Sequence, residues 1–198
     1  MGVLPADGAA ISVRAGDHAR IPIGASDQAS AAAESLEFTV GEGPCLDAIS
    51  FGDYVEASLY RLENRWPVLA DSWVTATPFR SVAATPVWIS AAIPGSLNLY
   101  FRSDEGSTAV DRADVADVSR RVTIELAKQQ LLAADDPDEL IRSLTSSARG
   151  RVWVAVGTLI AAFGSEALDA LDRMRSFATS RDMTVDDVAD DLLEDRIG

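Results

Sequence analysis

Apolar and polar residues alternate along the first part of the chain in short runs that predict β-strands. Two such runs, 8–14 and 18–24, flank a polar turn, and further strands are predicted at 53–57, 80–87 and 96–102. Between them, the Ala-rich segment 27–38 favours a helix capped by Ser26 or Asp27, and Pro44 suits the first turn of a short helix ending near Ile49. This pattern predicts an α+β domain.

The spacing of apolar residues becomes helical from residue 109 onward. A long helix is predicted over 109–133, followed by the acidic, proline-bearing segment 135–139. A second helix is predicted from about 140 to Phe163, because its apolar residues recur at steps of three and four: Ile141, Leu144, Ala148, Val152, Ala155, Leu159 and Phe163. The change of pattern predicts a first domain over 1–134, a linker over 135–139 and a helical domain over 140–198.

Helix-end signals divide the second domain into three helices. Gly164 suits the residue that follows a helix, and Ser165 is a possible cap for a helix over about 166–180. The run from Thr184 to Asp187 resembles a capping box at the start of a last helix, 185–195. Three helices of this length form a small bundle that needs the first domain or a partner chain for further burial.

Composition limits the class of protein. No run of 18 apolar residues is present, and the N-terminal residues lack the layout of a signal peptide. A single cysteine, Cys45, excludes an internal disulfide and fits a reducing compartment. We therefore expect a cytoplasmic protein with no membrane partner.

Charge is unevenly distributed over the chain. The net charge of −14 opposes indiscriminate binding of polyanions. Residues 141–181, however, carry six Arg against three acidic residues, and residues 182–198 carry seven acidic residues against one Arg. Arginine suits phosphates and base edges, although an arginine-bearing helix is also typical of a solvated face.

Residues for catalysis are scarce. His18 is the only histidine and lies in a polar turn, and neither a phosphate-binding loop nor a dinucleotide fingerprint occurs. The carboxylates stand in runs typical of solvated faces. We expect neither an enzyme nor a metal or cofactor site, although an unidentified small-molecule effector is compatible with the sequence.

Three residues of the first domain are candidates for a ligand site. Cys45 stands near the start of a short helix, whose dipole lowers the pKa of a thiol; the alternative is a small buried residue that packs this helix. Trp66 and Trp88 are candidate pocket residues, with core packing as the alternative.

Several motifs over residues 23–88 resemble the GAF domains that are fused to ANTAR domains in actinobacteria. They include Leu36-Glu-Phe-Thr-Val-Gly-Glu-Gly-Pro-Cys-Leu-Asp-Ala48, Arg65-Trp-Pro-Val-Leu-Ala70 and Arg80-Ser-Val-Ala-Ala-Thr-Pro-Val87. The resemblance implies a small-molecule-sensing domain with an antiparallel sheet and flanking helices.

Residues 149–189 are similar to the ANTAR pattern without a gap. The first part of the pattern falls on Arg149, Val152, Ala155, Gly157 and Leu159, and the rest falls on Ala170, Leu171, Met174, Arg175, Ala178, Val185, Val188 and Ala189. The resemblance implies a three-helix domain that binds paired RNA hairpins as a homodimer and prevents transcription termination. Arginine side chains stack on unpaired bases or contact phosphates, so the implied RNA-binding residues are Arg149, Arg151, Ala155, Gly157, Arg173, Arg175 and Arg181. For Ala155 and Gly157, close helix packing is the alternative.

The chain departs from the ANTAR pattern at three positions. Val156 and Thr184 replace two usual lysines, and Asp182 replaces an asparagine. With the acidic C-terminal residues, these changes predict weaker RNA binding. The alternative to an RNA-binding regulator is a dimeric small-molecule or protein-interaction sensor that has lost RNA binding. A thiol redox enzyme is disfavoured because no second cysteine can resolve the oxidised thiol.

Overall fold

A computed structural model of the chain describes residues 4–15, 19–90, 93–133 and 148–196. Five strands form one antiparallel sheet in the order β2-β1-β5-β4-β3. Their bounds are β1 Gly8–Ala15, β2 Ala19–Ala25, β3 Val55–Ser58, β4 Ser81–Ser90 and β5 Ile93–Phe101. The predicted strands and the α+β class are confirmed. His18 and the predicted linker 135–139 lie outside the described residues.

In the described residues up to Ala133, six helices accompany the sheet. They are α1 Gln28–Val40, α2 Pro44–Phe51, α3 Leu59–Arg65, α4 Pro67–Ala76, α5 Gly106–Ala109 and α6 Arg112–Ala133. Asp27 caps α1 by accepting a hydrogen bond from the Ser30 amide, and Pro44 begins α2, as predicted. The helices α3 and α4 lie between the predicted strands 53–57 and 80–87, where no helix was predicted.

Alternating residues of the central strands are buried in two apolar cores, one on each face of the sheet. One face, with Val82, Ala84 and Tyr100, packs against α1, α2, α3 and α4. The other face, with Ala83 and Leu99, packs against α6. Because both faces are covered, the strands carry apolar residues at successive positions.

The C-terminal bundle consists of α7 Ala148–Phe163, α8 Ala167–Ser180 and α9 Val185–Leu193. Gly164 follows α7 with a φ of 65°, which favours glycine, and the Thr184–Asp187 capping box at the start of α9 is complete. The predicted Ser165 cap is wrong by one residue: the N-cap position of α8 is Glu166. No single helix within the described ranges is long and apolar enough to cross a membrane.

Helix α1 joins the N-terminal domain (residues 4–133) to the bundle. The Phe38 side chain is buried within the apolar core of the bundle. The Val185 amide at the start of α9 donates to Thr39 Oγ1 over 3.0 Å, and the Ser35 hydroxyl donates to Asp186. The additional burial that the bundle was expected to need is therefore supplied by the first domain.

Candidate functional site

Arg151, on α7, is held by acidic residues from the C-terminal end of the chain. Its guanidinium forms an ion pair with Asp190 through Nε, and its Nη2 lies 3.3 Å from Glu194 Oε1. Two of the acidic C-terminal residues are therefore paired with a side chain that was predicted to bind RNA.

Arg175, on α8, faces the N-terminal domain. Its Nε donates to the Phe38 carbonyl oxygen over 3.2 Å, and its guanidinium lies over the Phe38 ring, 5.4 Å from the centroid. Its Nη1 donates to Asp172 one turn earlier, also over 3.2 Å. In this arrangement Arg175 is part of the contact between the two domains.

Arg173 and Arg181 are exposed, and neither forms an ion pair within the described part of the chain. The Arg173 guanidinium lies 6.0 Å from the centroid of the exposed Phe163 ring, and the Arg181 guanidinium lies 4.1 Å from the Phe177 ring. Arginine placed against an aromatic face keeps its outward N–H donors available to an incoming acceptor.

The remaining predicted positions on α7 separate into different environments. Ala155 is fully buried in the bundle core, which agrees with helix packing, its alternative role. Gly157 is exposed, and a Cβ added there would meet no described atom within 4 Å. Arg149 lies in the first turn of α7, and its side chain is outside the described residues. The backbone at Gly157 is therefore open to close approach by another molecule.

The three ligand candidates of the N-terminal domain do not form one pocket. Cys45 and Trp66 are buried in the same apolar core, whereas Trp88, on β4, is 42% exposed. Burial raises the pKa of the Cys45 thiol well above its ordinary value. Of the two interpretations of Cys45, the buried packing residue fits; a thiol with a lowered pKa does not, because desolvation disfavours the thiolate.

A buried polar cluster lies between the sheet, α1 and α2. The Arg20 guanidinium is at its centre: Nε donates to Ser12 Oγ over 2.9 Å, and Nη2 lies 3.2 Å from Glu34 Oε1 and 3.8 Å from Glu37 Oε2. Its members are all buried: Ser12, Arg20, Glu34, Glu37, Cys45 and Tyr100. Pairing offsets the cost of removing these charges from water.

The cluster shifts the acid–base properties of its members. Burial raises the pKa of Glu37 to about 7, although the neighbouring Arg20 acts in the opposite direction. Burial also raises the pKa of the Tyr100 hydroxyl well above its ordinary value. Glu37 therefore takes up or releases a proton close to neutral pH, and it precedes the residue that enters the bundle core.

Sequence reasoning missed this cluster. Its only local signal is that Glu34 and Glu37 lie one helical turn apart in a segment otherwise rich in alanine. Arg20 stands at an end of an apolar strand, where a charged residue normally indicates exposure. Its burial depends on acids from another element, which no local pattern reveals.

The described residues contain no group of three or more His, Cys, Asp or Glu arranged to hold a metal ion. The chain matches no family model, and comparison with curated proteins finds no relative.

Proposed function

We propose that this chain is a cytoplasmic, ligand-responsive regulator of transcription antitermination, in which a GAF-type sensor domain controls an ANTAR-type bundle that binds hairpin RNA as a homodimer. The observation that carries the proposal is the contrast among the bundle's arginines. Arg173 and Arg181 are exposed without an ion pair in the described part of the chain, whereas Arg175 is engaged by the N-terminal domain.

This contrast suggests how sensing is coupled to binding. Phosphate and base acceptors of RNA reach Arg173 and Arg181 on the outer surface of the bundle. Full engagement of the implied RNA contacts requires Arg175 to leave Phe38 and Arg151 to leave Asp190 and Glu194. A ligand that favours one arrangement of the two domains then shifts RNA affinity by its differential affinity for the two states.

The test is the affinity of the full chain for a labelled two-hairpin RNA, measured by fluorescence anisotropy at low salt. We expect Arg173→Ala and Arg181→Ala each to weaken binding about tenfold, because each removes a charge-assisted contact of roughly 1.4 kcal/mol. Arg61→Ala, which removes an exposed arginine from α3, serves as the control. Absence of binding, or equal affinities for all three variants and the parent chain, rules the proposal out.

The second candidate function is a dimeric small-molecule or protein-interaction sensor without RNA binding. It is favoured by the ion pairs of Arg151 with acidic residues and by exposed apolar residues on α7, where Phe163 is 67% and Val154 46% exposed. This function predicts a dimer that persists at high salt, since apolar contacts are not screened. Sedimentation of the chain at low and high salt, with and without RNA, separates the two functions.

A further inference from the structure

A small cavity lies where the bundle meets the N-terminal domain. Its volume is about 160 Å³, and it is bounded by β1 and β2, by α2 and by α8. The lining residues are Arg14, Arg20, Leu46, Ile49, Ser50, Leu168, Leu171 and Arg175. Three of these are arginines and none is acidic, in a chain whose net charge is −14.

Each of the three arginines has guanidinium N–H groups without a hydrogen-bond partner among the described residues. Arg20 is 3% exposed, yet its Nη1 has no hydrogen-bond partner among the described residues. Arg14 forms no ion pair within those residues, and Arg175 uses only Nε and Nη1 for Phe38 and Asp172. A buried guanidinium with an unsatisfied N–H group is costly unless a ligand or water accepts from it.

The remaining lining residues are mostly aliphatic. Leu46 and Ile49 come from α2, and Leu168 and Leu171 come from α8. The volume corresponds to roughly five water molecules at about 30 Å³ each. This size suits a compact oxyanion or a short-chain acid whose charged end meets the guanidinium groups and whose apolar end meets the leucines.

We propose that this cavity binds a small oxyanion, a carboxylate or phosphate group, between the two domains. The ligand accepts hydrogen bonds from Arg14, Arg20 and Arg175 and thereby links the sheet to α8. It stabilises the docked arrangement, because only that arrangement brings Arg175 to Arg14 and Arg20, which are paired across β1 and β2. The effector role of the ligand rests on the proposed function, whereas binding itself does not.

The test is an NMR titration of the full chain, without RNA, that follows the amides of Ser50 and Leu171. The probes are 3-methylbutanoate and inorganic phosphate, with chloride at matched ionic strength as the control; the response to each probe identifies which oxyanion is accepted. We expect saturable shifts with at least one oxyanion, about tenfold weaker binding in Arg14→Gln, and loss of binding in Ser50→Phe, which blocks the cavity without removing charge.

The matched control is Arg61→Gln on α3, which leaves the affinity unchanged. Both test positions are at least partly exposed, so we expect the variants to keep the fold, and thermal unfolding checks this. Shifts that also occur with chloride, equal binding by Arg14→Gln and the parent chain, or no saturation with either probe overturn the proposal. Saturable binding in a chain that fails to bind RNA overturns only the proposed function.

Discussion

The N-terminal domain and the C-terminal bundle differ in the types of residue that they bury. Beside its apolar core, the N-terminal domain buries Arg20, Glu34 and Glu37 together, whereas the buried residues that form the bundle core are all apolar. The stability of an interior with buried charge pairs depends on pH and on bound ions. The stability of an apolar interior depends mainly on changes in side-chain volume. The two interiors meet on α1, where Glu37 belongs to the first and Phe38 to the second. Two successive residues of α1 therefore link the buried charged cluster of the N-terminal domain to the apolar core of the bundle.

The largest effect is expected from breaking the apolar side of this connection. Phe38→Ala should lower the free energy of unfolding by about 3–5 kcal/mol, because it removes a ring that is 2% exposed and leaves a cavity between the domains. Phe51→Ala, at a ring that is 65% exposed, is the matched control and should cost less than about 1 kcal/mol. Urea unfolding measures both. Similar losses in the two variants would show that Phe38 does not anchor the bundle.

A smaller, pH-dependent effect is expected on the charged side. The pKa of Glu37 is about 7 in the folded chain against 4.5 ordinarily, so the folded state binds more protons between these values. Its contribution to stability is therefore present below about pH 4.5 and falls as the pH rises to 7, by up to about 3 kcal/mol.

Glu37→Gln should remove this part of the pH dependence, because the amide does not titrate. Glu63→Gln, an exposed position on α3, should leave the slope unchanged. The measurement is the difference in unfolding free energy between each variant and the parent chain from pH 5 to pH 8. A difference that does not vary with pH for Glu37→Gln would contradict the assignment of the raised pKa.

The smallest effect on stability is expected where charges are exposed. Replacing Asp190 and Glu194 by Asn and Gln releases Arg151 and should change the unfolding free energy by less than about 1 kcal/mol. The same change should strengthen RNA binding several-fold at low salt, because it frees a cation and removes two negative charges. The pair Asp104→Asn and Glu105→Gln changes the net charge equally on an exposed loop of the N-terminal domain. If the two double substitutions changed RNA affinity equally, the change would be explained by net charge alone and not by the release of Arg151.

The parts of the fold that could be predicted are those marked by residues whose contacts lie nearby in the sequence. Asp27, Gly164 and Thr184 each act through atoms within a few residues, so the helix ends they mark could be located from sequence. The helices α3 and α4 were missed because Pro67 interrupts the segment; it begins α4 instead of ending a structured region.

The candidate site was less predictable because its contacts are distant in sequence. Arg151 and Asp190 are 39 residues apart, and Arg175 and Phe38 are 137 apart. A pattern of residue types could single out these arginines as chemically important. It could not show that Arg151 and Arg175 are bound by other residues of the chain while Arg173 and Arg181 remain exposed.

The most direct test of the account is hydrogen exchange of the full chain with and without the two-hairpin RNA at low salt. We predict slower exchange on binding around Arg173 in α8, around Arg181 after it and around Gly157 in α7, because these three residues are exposed and neither arginine forms an ion pair in the described residues. Protection confined to the N-terminal domain, or no change anywhere, would contradict the claim that the bundle is the RNA-binding part of this protein.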